Sequence, residues 1–366
     1  MEHLDVPTWA WAAFNVYVIG LLLLDLLGFN KKAHEIHWKE AAWLSAFFVA
    51  ASLAVNVVVW WAGREQGLGD GPGLTFLTAY LVEKSLSVDN LFVIAVLFGY
   101  FAVPAKYQHR VLFWGIFGAI VMRAVMILVG VALVERFHWI LYVFGAFLVM
   151  TGLRMFRETE DEEDLSQNKV LRTLRRVLPV TKNYHEEHFF IRRMGRTFVT
   201  PLFLVLIMIE LTDVVFAVDS IPAILGITTD PFLAYSSNIL AVVGLRALYF
   251  LLAGVIERIR YLHIGLAAVL VFIGGKMLVE PFMEPWFGVE KVPTWISLTV
   301  VVSCITGAAL VSWIATIRET RSSLPHPPGA PTPPGEPNIP DVRGDGTADQ
   351  TPTVETRAEP PRRDGR

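Results

Sequence analysis

The chain carries one cysteine, Cys304, inside an apolar run. No disulfide can close within it, and no cluster of thiolates can grip a soft metal. Histidine is just as scarce where it would matter: no long apolar stretch has one at its middle, and His138 and His263 fall at the ends of theirs. The N-terminus, Met1-Glu2-His3-Leu4-Asp5, lacks the positive stretch of a cleavable signal, and no small-residue cleavage site follows it. Trp9–Leu27 therefore reads as a span that is kept. There is no Ser/His/Asp arrangement, phosphate loop or activated nucleophile, so no enzyme, no permanently bound cofactor and no nucleic-acid partner are expected. Charge is thin as well: Asp, Glu, Lys and Arg make up 18% of the chain and sum to −3, against 54% hydrophobic residues and a mean hydropathy of +0.50.

What is abundant is apolar sequence in runs long enough to cross a bilayer, which implies an all-α polytopic membrane protein in contact with lipid. About nine spans can be drawn, at roughly 9–27, 43–62, 74–99, 111–132, 138–153, 199–224, 232–254, 262–279 and 294–317. Trp9, Trp11, Trp43, Trp60, Trp61, Trp139 and Trp295 sit near their ends, as interfacial aromatics do. The connections 28–42, 100–110, 154–198 and 255–261 hold Lys31, Lys32, Lys39, Lys106, Arg110, Arg258, Arg260 and about ten more bases in the long loop. The alternate connections hold only Arg64, Arg136 and Lys291. The positive-inside rule then predicts an N-terminus outside and a C-terminus in the cytoplasm. From Ser322 onward, Pro, Gly and charge dominate, which predicts a disordered tail over 321–366. The loop 154–198 opens on an acidic run, Glu158 to Asp164, followed by Arg172, Arg175 and Arg176. It reads as a solvated connector with a surface helix, and as the candidate surface for membrane or secretory protein partners.

Two spans break the apolar rule. Leu202–Leu225 carries Glu210, Asp213 and Asp219, and Leu74–Phe98 carries Glu83, Lys84, Asp89 and Asn90. A carboxylate at membrane depth costs a few kcal/mol or more and marks a functional site by default. Aligning Asp89-Asn90 on Asp219-Ser220 places Glu83 on Asp213, six residues before in both. The correspondence continues downstream. Arg123 and Arg246 each precede an alanine in the next span, and Arg154 (in TGLRM) stands opposite Lys276 (in GGKM). Spans three to five (74–153) thus match six to eight (199–279), with two spans before them (1–73) and one after (280–320). A three-span unit is odd, so its copy enters from the opposite side, an inverted 3+3 repeat whose substrate site lies near the midplane.

The candidate ligands Glu83, Asp89, Asn90, Glu210, Asp213 and Asp219 are all oxygen donors, which suits hard divalent ions and disfavours Zn²⁺ and copper. Lys84, Arg123, Arg246 and Lys276 are their candidate charge partners. On a straight helix Asp213 and Asp219 stand about 120° apart, too far round for one ion. Pro222, whose ring clashes with the carbonyl of residue 218, predicts a kink or an unwound turn beside Asp219.

EKSLSVDNLFV (Glu83–Val93) and ELTDVVFAVDSIPAI (Glu210–Ile224) resemble the TerC family of bacterial membrane proteins, which includes Alx-type manganese exporters. The similarity covers roughly residues 10–317. It implies a fold related to the lysine-exporter superfamily, a bacterial inner-membrane location, and efflux of Mn²⁺ driven by an ion gradient. It carries site roles over to Glu83, Asp89, Glu210, Asp213 and Asp219. The family is named for tellurium resistance, but an acidic site should not bind the tellurite anion. Mn²⁺, with Ca²⁺ as competitor, is the expected cargo. The alternatives are a non-transporting membrane assembly factor, which has no need of buried carboxylates, and an amino-acid exporter, in which Arg123 and Arg246 would bind the substrate carboxylate.

Overall fold

The computed structural model describes residues 4–28, 38–157, 169–181, 184, 188–193, 196–252, 262–287 and 292–322. The acidic run at 158–164 and the tail beyond 322 lie outside them, as does the side chain of Asp89. Residues Met1–Thr320 form one compact unit; of the second unit, Arg321–Arg366, only Arg321 and Ser322 are described.

Each predicted apolar run contains helix among the described residues, with the run at 232–254 interrupted at Val243 and Gly244. The helices are α1 (Thr8–Gly28), α2 (Trp38–Glu65), α3 (Gly71–Tyr100), α4 (Ala105–Arg136), α5 (Ile140–Met155), α6 (Lys169–Val177), α7 (Pro201–Ile227), α8 (Pro231–Val242), α9 (Leu245–Leu252), α10 (Leu262–Phe287) and α11 (Thr294–Ser322). A short hairpin, β1 (Phe190–Arg193) with β2 (Arg196–Val199), precedes α7. Among the described residues, α1, α2, α4, α7, α10 and α11 are long and apolar enough to cross a membrane, and α8 with α9 makes a seventh if the bent pair counts as one span. The protein is an all-α polytopic membrane protein. α3 is long but interrupted by its charges, and α5 is apolar but only 16 residues long. Trp9, Trp43, Trp61, Trp139 and Trp295 are each more than half exposed at helix ends, where an indole can sit between lipid and water.

The centre of the bundle is α8. Every residue from Phe232 to Ala247 is buried, as expected of a helix apolar on all sides. α1 covers it through Trp11 and Phe14, which meet the ring of Phe232 at 5.1 and 5.6 Å. α2, α3 and α4 pack around the rest. α8 and α9 meet at 41°. The hinge is Gly244, whose φ of 84° suits glycine. A Cβ there would also lie 2.6 Å from Cβ of Phe48. The expected break beside Pro222 does not occur: α7 runs unbroken from Pro201 to Ile227 with Pro222 inside it. The interruption falls one span later, where a left-handed glycine stops the hydrogen-bond ladder outright. At the other end of α2, Arg64 Nε donates to Asp70 Oδ1 at 2.7 Å, and this bond holds the Asp70 carboxyl below its usual range.

α5 and α10 cross with their backbones in contact. A Cβ on Gly274 would lie 2.6 Å from the carbonyl oxygen of Gly145, and one on Gly152 would lie 2.8 Å from that of Ala267. Gly275, one residue on, faces open space. Gly274→Leu is therefore expected to destabilise the protein by about 1–3 kcal/mol or more through overpacking, while Gly275→Leu should be nearly silent. Thermal denaturation in detergent compares the two, and equal melting points would contradict this packing.

Candidate functional site

The buried charges gather around Arg123 of α4. Its guanidinium is fully buried and forks onto Asp213 of α7, with Nε to Oδ2 at 3.1 Å and Nη2 to Oδ1 at 2.8 Å. Nη1 donates to Glu83 of α3 and, at 3.4 Å, to Ser220 Oγ of α7. With its amide turned as its neighbours require, Asn90 of α3 accepts from Nη2 at 3.2 Å and donates to the Leu86 carbonyl. One arginine thus joins two helices through two carboxylates, an amide and a hydroxyl. The second oxygen of Glu83 is buried with no hydrogen-bond partner among the described residues.

The other predicted residues stand around this hub at different distances. Glu210 lies one turn before Asp213, its carboxylate laid against Gly118 of α4, where a side chain would collide with it. Asp219 turns away toward α5 and accepts a 3.4 Å hydrogen bond from the Thr151 hydroxyl. Asp89 lies on α3, one residue before Asn90. Among the described residues no three His, Cys, Asp or Glu side chains come close enough together to hold a metal ion. Among the described side chains a guanidinium stands between two of the predicted carboxylates, Glu83 and Asp213.

Two predicted charge partners serve other groups. Lys84 reaches the broken helix, where its ammonium donates at 3.0 Å to the carbonyl of Ala241. That carbonyl belongs to the last turn of α8, which has lost its helical partners, and a cation is favoured at this end of a helix. Ser52 of α2 donates to the neighbouring Leu240 carbonyl at 3.4 Å. Arg246 of α9 is held by α1: Nη2 donates to both the backbone oxygen and the carboxylate of Asp25, at 2.7 and 2.8 Å. Asp25 is a buried acid that sequence reasoning passed over, although an aspartate in the run LLLLDLLG is signal enough. Ser220 and Thr151 were missed for want of charge. Lys276 lies elsewhere, on the wall of a cavity of about 610 Å³ shared with His138, Asp230 and Glu280.

The description "Integral membrane protein TerC family" matches residues 69–320. The chain belongs to the TerC family. It is 47% identical over 309 residues to Alx of Escherichia coli (strain K12), provisionally named a membrane-bound redox modulator, covering 83% of this chain and 94% of that one. An uncharacterized membrane protein of Myxococcus xanthus is 45% identical over 313 residues, covering 86% and 94%. A Rickettsia bellii membrane protein is 38% identical over 296 residues, covering 81% and 94%. No solved structure matches. Membership places the α3–α7 charge cluster, with both of its acidic motifs, inside the part of the chain that the family shares.

Proposed function

We propose that this TerC-family protein is a secondary transporter that exports a divalent metal ion, Mn²⁺ foremost, from a bacterial cytoplasm. The observation that carries this reading is the Arg123 hub. A buried network sets two carboxyl groups against one guanidinium, and one oxygen of Glu83 has no hydrogen-bond partner among the described residues. Such a site exchanges one cation for another. A divalent ion entering between Glu83 and Asp213 displaces the guanidinium, and Arg123 returns when the ion leaves. Asp89, Asn90, Glu210 and Asp219 are the further oxygen donors in reach of rearrangement on the same two helices.

The inverted 3+3 repeat belongs to this proposal and has support in the packing. Glu83 and Asp213 are repeat mates, and so are Asn90 and Ser220; Arg123 contacts both pairs. α4 packs on α7, and its counterpart α8 packs on α3. The Gly152–Ala267 contact corresponds, with the repeats exchanged, to Gly274–Gly145. Counting α3 and α5 as spans gives about nine, with the N-terminus outside and the tail cytoplasmic. Cysteines placed at Val170 and Ala330 in a Cys304→Ser background should resist impermeant thiol reagents added outside, and one at Thr228 should react. Outside labelling at Val170 would overturn the topology and the repeat with it.

The redox role in the name of the Alx proteins does not fit this chain as readily. Its one thiol, Cys304 on α11, would need a second from another protein to form a disulfide. The deciding experiment is metal content. Cells without the protein should accumulate Mn²⁺ under Mn²⁺ load, with little change in total Mg²⁺, which sheds its water reluctantly. Unchanged Mn²⁺ in a strain lacking other exporters would end the export reading in favour of an assembly role.

A further inference from the structure

On the face of α5 away from Asp219 runs an open groove of about 530 Å³. Ala146, Val149, Met150 and Leu153 line it from α5, Leu278 closes it from α10, and Arg154 and Arg157 stand at one end. We infer that this groove binds an anionic phospholipid, with an acyl chain along the apolar wall and the phosphate between Arg154 and Arg157.

The dimensions suit a chain. Ala146 to Arg157 spans about 16 Å along a helix. The wall is apolar and open to the surroundings, with Met150 62% and Leu153 49% exposed, and in a polytopic membrane protein those surroundings are acyl chains. The position of the arginines follows from the length of α5. Sixteen residues rise about 24 Å, less than the roughly 30 Å of hydrocarbon. Bases in and just past its last turn therefore stand near the level of lipid phosphates and not in bulk water.

The charge selects the headgroup. A guanidinium meets a phosphate through a bidentate pair of hydrogen bonds, and both guanidiniums line the same groove. A zwitterionic lipid would bring its own ammonium toward the second arginine; an anionic one would not. By the loop charges this end faces the cytoplasm, the side on which anionic lipid concentrates basic segments. The groove also backs onto the site. Thr151, between Met150 and Leu153, points the other way and donates to Asp219. A lipid seated here buttresses the helix that holds this carboxylate.

The inference stands apart from the identity of the transported ion, and its test reads lipid, not transport. The full-length protein in mild detergent is offered equal phosphatidylglycerol and phosphatidylcholine, and the retained lipid is counted by native mass spectrometry. Wild type should retain phosphatidylglycerol preferentially. Arg154→Gln with Arg157→Gln should reduce that preference at least about tenfold, given about 1 kcal/mol per base near an anionic surface. Met150→Trp, which fills the groove without touching a charge, should lower retention of both lipids. Arg172→Gln with Arg176→Gln, removing exposed bases of α6, should change nothing. Equal retention of the two lipids by wild type would overturn the assignment. So would a preference that survives the Arg154/Arg157 double variant, or one lost on changing α6 alone.

Discussion

Arg123→Gln is expected to destabilise the protein by about 3–5 kcal/mol, the usual result of removing one partner from a buried ion pair. The guanidinium is fully buried and touches both Glu83 and Asp213, so its loss leaves two carboxylates facing each other in a medium of low dielectric. Removing every charge at once is a different matter. Arg123→Met combined with Glu83→Gln and Asp213→Asn should recover most of the loss, because a neutral cluster has nothing left to compensate. The export reading adds a sharper expectation. A divalent cation can take over the work of the missing guanidinium, so Mn²⁺ should raise the melting temperature of Arg123→Gln more than that of wild type. At a hundred times its dissociation constant the ion would supply about 2.7 kcal/mol. A variant as stable as wild type without metal would show that the pair contributes nothing. A destabilised variant that ignores Mn²⁺ would leave the structural role standing and remove the metal from it.

Asp89→Asn and Asp219→Asn are each expected to abolish Mn²⁺ transport while leaving the protein in the membrane. In the proposed repeat they are mates, so their severity should match. Asp219 has only a hydroxyl as partner among the described side chains. Neutralising it therefore costs little stability and removes a charge the ion needs. Glu210→Gln is a distinct case, because Glu210 has no acidic mate: Tyr80 stands in its place. Its expected effect is on the pH dependence of transport more than on metal affinity. Falling pH should weaken Mn²⁺ binding in wild type, since protons and metal compete for the same oxygens. Metal uptake into vesicles of known orientation measures all three variants, and normal rates in both Asn variants would rule out a site built from two halves.

The course of the helices was legible because apolar runs of span length leave little choice of structure. The pairing of Glu83 with Asp213 was legible as well, through equal spacing in two unusual segments. The arrangement of their charges was not. A buried arginine can satisfy any carboxylate within reach, and nothing in a linear sequence says which one a given helix crossing will present. Arg123 found the predicted acids, whereas Arg246 found Asp25 of α1. The helix break was misplaced for a related reason. Proline removes one hydrogen bond, and a helix can absorb that loss, as α7 does at Pro222. Gly244 takes a left-handed conformation under the ring of Phe48, which no helix can continue through. Phe48 of α2, nearly two hundred residues earlier in the chain, leaves no room there for a side chain.

The burial of α8 has a consequence for how the chain is made. The helices wrapped around this rod, α1 to α4, all precede it in the sequence. They are synthesised first, and translation is slow enough for earlier segments to settle before later ones emerge. Ser236 and Ser237 also turn their hydroxyls onto the Phe232 and Leu233 carbonyls of their own helix. A helix that enters among neighbours made before it can carry three polar side chains in a row without meeting bare lipid, as all three are buried in the folded bundle.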